Sequence, residues 1–218
     1  MKNHPSFIQH ILHKLSVSSL LFFALWAFIL SFEYFSFGSY SYVRMWEDGE
    51  TALEGKLALS PHLMNVRIGY WNPLPAGGVD TLSSSFLFNI DSILFKTLPG
   101  WLAYGVVIWA QRFMAGYFTF RLLRESLSLG IMPSLYAGLA YALLPDVPPT
   151  GFPLYYGMSL SAIPFAVWGL LRLKDHTRIS YLLAVLLGIL FSSLSNFAFE
   201  LFSLPVIAFW LMIVTPRF

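Results

Sequence analysis

Four stretches of the chain, Ser16–Phe32, Leu98–Gln111, Ile131–Pro145 and Ile179–Phe199, carry no charged side chain. Runs of this kind approach the ~20 apolar residues that a bilayer core demands. No other feature restricts the fold as strongly, and it predicts an all-α membrane protein. Composition agrees: 57% of the residues are hydrophobic and 11% charged, against roughly 45–50% and 25% in soluble domains. A soluble enzyme is thereby excluded. The net charge of +2 comes from 13 Lys+Arg against 11 Asp+Glu with no basic stripe, which argues against a nucleic-acid partner.

Charge and polarity set the expected boundaries. Residues 1–15 carry Lys2, Lys14 and three histidines and form a cytoplasmic N-terminus. Ser16–Phe37, 22 residues interrupted only by Glu33, forms a first transmembrane helix. It reads as an uncleaved anchor, because bulky Phe35 and Phe37 continue where a signal peptide would need small residues. Residues 38–100 form an extracytoplasmic loop domain. Within it, Ser83–Leu98 reads as an amphipathic helix lying flat in the interface, with Phe86, Ile90, Ile93, Leu94 and Leu98 toward one side. Residues 101–214 form a bundle of transmembrane helices 2–6. Its apolar tracts are Trp101–Phe120, Ile131–Val147, Leu154–Leu171 and the 36 residues Ile179–Val214, the last read as two short helices meeting at a polar turn. Residues 215–218 are a cytoplasmic end. About six spans place Lys2, Lys14, Arg121, Arg124, Arg172, Lys174, Arg178 and Arg217 on one side, which the positive-inside rule makes cytoplasmic. Both termini then face the cytoplasm.

Chemistry must come from carboxylates, Arg, Lys, His or hydroxyls, since the chain has no cysteine. The five histidines show no HExxH-like spacing, so a histidine zinc site is not expected. Arg44-Met-Trp46-Glu47-Asp48-Gly49-Glu50 opens the outer loop. A helix there would put Glu47, Glu50 and Glu54 on one face, and an extended strand would pair Asp48 with Glu50. Either geometry concentrates negative charge, as a solvated acidic turn at the top of a helix, for general-base work or, through Glu47, Asp48 and Glu50, for a divalent cation. Tyr70–Asp80 combines prolines, glycines and aromatics into an ordered loop, whose aromatics form either an interfacial belt or a stacking wall for a sugar ring, with Trp71 and Asp80 the candidates for binding it. Arg112 lies mid-helix, where insertion costs at least ~2.5 kcal/mol without a partner. A site role and an ion pair with Glu33 or Glu200 are both open for it. Asn196 and Glu200 at the polar turn are further candidates.

The order of these features resembles the GT-C superfamily of integral-membrane glycosyltransferases, and most closely the bacterial YfhO-type membrane proteins. The matching parts are Trp71-Asn72-Pro73…Gly77-Gly78, Leu98-Pro99, Ala115-Gly116-Tyr117…Arg121-Leu-Leu-Arg124…Leu127-Ser128-Leu129-Gly130 and Ala137-Gly138-Leu-Ala140-Tyr141. The similarity spans roughly residues 17–173, about half of the architecture it resembles. It therefore implies an N-terminal half, completed by a missing C-terminal half or a partner subunit. The resemblance implies transfer of a sugar from a polyprenyl-phosphate donor on the outer face of a bacterial cytoplasmic membrane, in a multi-pass protein surrounded by membrane lipids. It makes Asp48 the first choice of base with Glu47 close behind, leaves Arg44, Lys56 and Arg67 to meet the leaving phosphate, and adds Asn196 and Glu200 to the site. A transporter or flippase component, motivated by Arg112 and Glu200, is the competing expectation, with a noncatalytic scaffold after it.

Overall fold

The computed structural model describes residues 7–40, 71–72, 79–80, 91–144, 158–175 and 178–193. Helix α1 (Phe7–Ser31) ends at Ser31 and tightens into 3-10 turns over Phe32–Tyr34 and Gly38–Tyr40. Strands β1 (Trp71–Asn72) and β2 (Val79–Asp80) pair antiparallel. Helix α2 (Asp91–Thr97) stops short of Pro99, because the residue before a proline is pushed out of the helical region. Pro99 then caps α3 (Gly100–Arg121), and its carbonyl accepts the first helical bond, from the Ala103 amide at 2.9 Å.

After α3 the helix widens into a π turn over Leu122–Ser126, where the Leu127 amide reaches back to the Leu122 carbonyl at 3.2 Å. Ser128 takes φ 55°, a conformation that glycine usually supplies at helix ends, and the Leu129 amide closes onto the Leu123 carbonyl. Helix α4 (Ile131–Tyr141) tolerates Pro133 because its first turn has no intrahelical partner for that amide. Helices α5 (Met158–Asp175) and α6 (Ile179–Ser193) complete the described chain.

Helix α3 is central, packing against α1, α2, α4 and α5, while α6 lies along α5. Ring contacts set the directions. Tyr34 meets Tyr104 and Phe23 meets Phe120, so α1 runs antiparallel to α3. Phe118 meets Phe165 at 4.3 Å and Leu122 packs on Leu171, so α5 runs parallel to α3. Along α3 itself, Trp109, Phe113 and Tyr117 stack at four-residue steps, as their shared helix face requires. Two close approaches need glycine. A Cβ on Gly138 would lie 2.8 Å from the Gly116 carbonyl oxygen, and one on Gly188 would lie 2.7 Å from the Ala166 Cβ.

The expected six-span membrane architecture is not supported by the described residues. No helix among the described residues is long and apolar enough to cross a membrane. The reasons differ by helix. The tract expected to span from Ile131 to Val147 gives an eleven-residue helix, about 16 Å long against a hydrocarbon core of about 30 Å. Helix α6 is described over fifteen residues of the 36-residue tract, about 22 Å. Helix α5 runs past its apolar part into Arg172, Lys174 and Asp175, and α3 carries Gln111 and Arg112 in its middle. Of the expected span Ser16–Phe37, α1 takes only Ser16–Ser31, sixteen residues or about 24 Å, before the chain tightens into 3-10 turns. The expectation of a multi-pass protein of the bacterial cytoplasmic membrane falls with the spans, and so does the orientation drawn from it. The expected polar turn at Asn196 and Glu200 lies outside the described residues.

Pro164 inside α5 leaves the Leu160 carbonyl without its usual amide donor, because a proline has no N–H to give to residue i−4. The hydroxyl of Tyr141, at the end of α4, donates to that carbonyl at 3.1 Å. Burial pushes the Tyr141 phenol up from 10.0 to about 12, so it stays a donor through neutral and mildly alkaline conditions. Leaving a buried carbonyl orphaned costs about 1–3 kcal/mol. Tyr141→Phe is therefore expected to lower stability by about that amount in chemical denaturation. In a Pro164→Ala background the restored amide serves the carbonyl and the same change should cost under about 0.5 kcal/mol. Equal costs in both backgrounds would overturn this account. Since the folded phenol titrates above the unfolded one, its contribution is whole below pH 10.0 and fades as pH rises toward about 12. Tyr141→Phe should lack that part of the alkaline loss.

Candidate functional site

Three places gather polar chemistry among the described residues. The first is Arg112, which α3 carries into the interior at 4% exposure, next to Gln111 at 1%. Its guanidinium donates to the Leu30 carbonyl and, at 3.0 Å, to the Ser31 hydroxyl, and lies 5.5 Å over the Tyr34 ring. Leu30 and Ser31 form the last turn of α1, where carbonyls lack intrahelical partners and the helix dipole favours a cation. Arg112 thus caps α1 from α3. Of the two carboxylates weighed from sequence as its partner, Glu33 is exposed in the turn after α1, and Glu200 lies outside the described residues.

The second is the hairpin. β1 and β2 pair so that Trp71 stands directly opposite Asp80 and Asn72 opposite Val79. Two of the residues expected to bind a sugar are thereby brought together by backbone register.

The third was not anticipated from sequence. Arg121 closes α3 with a bidentate pair to Glu125 at 2.6 Å and 3.0 Å, and the Trp168 indole N–H donates to the same carboxylate at 3.0 Å. The Arg121 guanidinium also lies 4.3 Å over the Trp168 ring and 5.7 Å over Tyr117. Burial works against the Arg121 cation, but Glu125 outweighs it and the net pKa is raised. The i,i+4 spacing of Arg121 and Glu125 was the available signal. Trp168, 43 residues from Glu125, had none. Glu125 lies within the π turn that directly follows Arg121.

Arg44, Glu47, Asp48, Glu50, Lys56, Arg67, Asn196 and Glu200 lie outside the described residues. Among the described residues, no group of three or more His, Asp or Glu could hold a metal ion. The divalent cation expected of Glu47, Asp48 and Glu50 rests on residues outside that set.

Removing the guanidinium would leave α1's last turn uncapped in an apolar interior. Arg112→Gln is expected to lower stability by about 2–4 kcal/mol, within the range for breaking one side of a buried charged contact. Denaturation of the variant with intact helical circular dichroism at low denaturant checks it. A loss below about 1 kcal/mol would remove the capping role.

No family model, no curated protein and no solved structure matches this chain.

Proposed function

We propose that this chain is a sugar-handling module of a glycosyl-transfer reaction that takes a polyprenyl-phosphate-linked sugar as donor and a hydroxyl as acceptor. The observation that carries it is the register that sets Trp71 opposite Asp80. Directly opposed positions on an antiparallel ladder have Cα atoms about 4.5–5.5 Å apart, close enough for both residues to serve one ring. An indole offers flat apolar area and a carboxylate accepts hydrogen bonds. A hexose needs both, because it has an apolar C–H face and a rim of hydroxyls.

The transfer step assigned to this module is a displacement at the anomeric carbon. The acceptor oxygen forms the new bond, the bond to the donor phosphate oxygen breaks, and that electron pair leaves on the phosphate. Asp48, with Glu47 beside it in sequence, takes the acceptor proton. Arg44, Lys56 and Arg67 supply cations to the leaving phosphate. The helices act as a frame in this reading, with Arg112 engaged on α1 in a structural part rather than on a transport path.

The reading is tested by transfer from a panel of polyprenyl-phosphate hexoses. Asp48→Asn with Glu47→Gln should reduce turnover at least ~100-fold, the lower range of a general base's contribution. Trp71→Ala should weaken sugar binding about tenfold, with Trp71→Phe largely retaining it, and Asp80→Asn should fall between. Unchanged turnover in the carboxylate double variant, or unchanged sugar affinity in Trp71→Ala, would overturn the reading.

A further inference from the structure

The two ends of the helical frame differ in charge. One end is formed by the C-terminal turns of α3 and α5, the π turn and the N-terminal turns of α4 and α6. Arg121, Arg124, Arg172 and Arg178 stand here, Glu125 is the acid whose side chain is described, and Lys174 and Asp175, one of each sign, close α5 at the same end. Glu125 is taken internally, by Arg121 and by the Trp168 indole. Arg124 and Arg178 are exposed, and Arg124 is tied down by a 2.9 Å bond from its guanidinium to the Leu129 carbonyl. Arg172 is half-buried, 5.5 Å over the Tyr181 ring. At the opposite end the exposed, described charges are Glu33 and Lys96, one of each sign.

Aliphatic side chains stand in the open beside these arginines. Leu129 and Ile131 precede and begin α4, Met132 follows at 60% exposure, and Ile179 beside Arg178 reaches 71%. An exposed arginine beside an exposed aliphatic residue occurs twice, Arg124 bonded to the Leu129 carbonyl and Arg178 directly before Ile179. Large apolar side chains interleaved with cations suit a boundary that is anionic at its surface and apolar just beneath. A nucleic acid would satisfy the arginines but leave the isoleucines in water.

We propose that this end docks on an anionic lipid surface, with Arg124 and Arg178 meeting headgroup phosphates and Ile131, Met132 and Ile179 entering the headgroup–acyl boundary. Contact of this kind lies on a surface and asks nothing of a spanning helix. It is independent of the sugar reading, and neither depends on the other.

The test is flotation of the full chain with vesicles of phosphatidylcholine, with and without phosphatidylglycerol. Binding should require phosphatidylglycerol and weaken as salt shortens the Debye length from about 10 Å at 0.1 M to about 3 Å at 1 M. Arg124→Gln and Arg178→Gln should each weaken it about fivefold, the share of one cation near such a surface, while Lys96→Gln at the other end should leave it unchanged. Equal binding to phosphatidylcholine alone overturns the proposal. So does no binding to either vesicle, an equal loss with Lys96→Gln, or comparable retention on soluble polyglutamate.

Discussion

The guanidinium of Arg112 cannot reach water from its place in α3, so the end of α1 has to come to it. This constraint recurs through the described helices: a polar atom in an apolar interior is satisfied across an interface, and the bond then fixes how the two elements sit. Arg112 ties α3 to the last turn of α1. The Trp109 indole donates to the Ala24 carbonyl farther down the same pair. Tyr141 ties α4 to α5 at the carbonyl that Pro164 strands. Glu125, between Arg121 and Trp168, ties the π turn to α5. Hydrophobic burial is non-directional and sets only that helices associate. The hydrogen bonds choose among the ways they could associate, because a slip of one turn would orphan groups worth about 1–3 kcal/mol each.

Apolar runs located the helices better than they measured them. Each described long helix overlaps a tract read from sequence, but a run free of charge is not a run free to be helical throughout. Ile131–Val147 includes Pro145, and its helix stops at Tyr141. Helix α5 continues the other way, through Arg172 to Asp175, because Arg and Lys are good helix formers whatever their polarity. Helix α1 likewise extends back to Phe7 across polar residues. Hydropathy answers what surrounds a segment, whereas helix ends are set by caps, prolines and local propensity. A span count drawn from hydropathy therefore presumed helix lengths that the chain does not adopt.

The candidate site was legible residue by residue and not as a geometry. Prolines, glycines and aromatics in Tyr70–Asp80 singled out Trp71 and Asp80, but the register that opposes them depends on which amides pair. Arg112 was conspicuous as a charge in an apolar helix, while its partners were not, because a backbone carbonyl leaves no mark in composition. The Arg121–Glu125–Trp168 cluster was half visible, as an i,i+4 pair. Its third member required knowing that α5 runs parallel to α3, which ring contacts establish and spacing does not.

This division of labour leaves the apolar exterior free of any part in fixing the frame. The exposed faces of α1 and α6 present Leu21, Leu25 and Ile29 on one, Leu183, Leu186 and Leu187 on the other. Their opposite sides are already committed, α1 to α3 through Phe23 and α6 to α5 through Tyr181 and Ala184. Covering a side chain of this size is worth roughly 1.5–3 kcal/mol, so a few such contacts outweigh any single polar bond inside. Polar cross-links thus decide the arrangement of the helices, and the apolar exterior decides what the arrangement associates with. The Arg124 and Arg178 end is where the two meet, since among the described residues exposed cations stand there beside exposed aliphatic chains on more than one element.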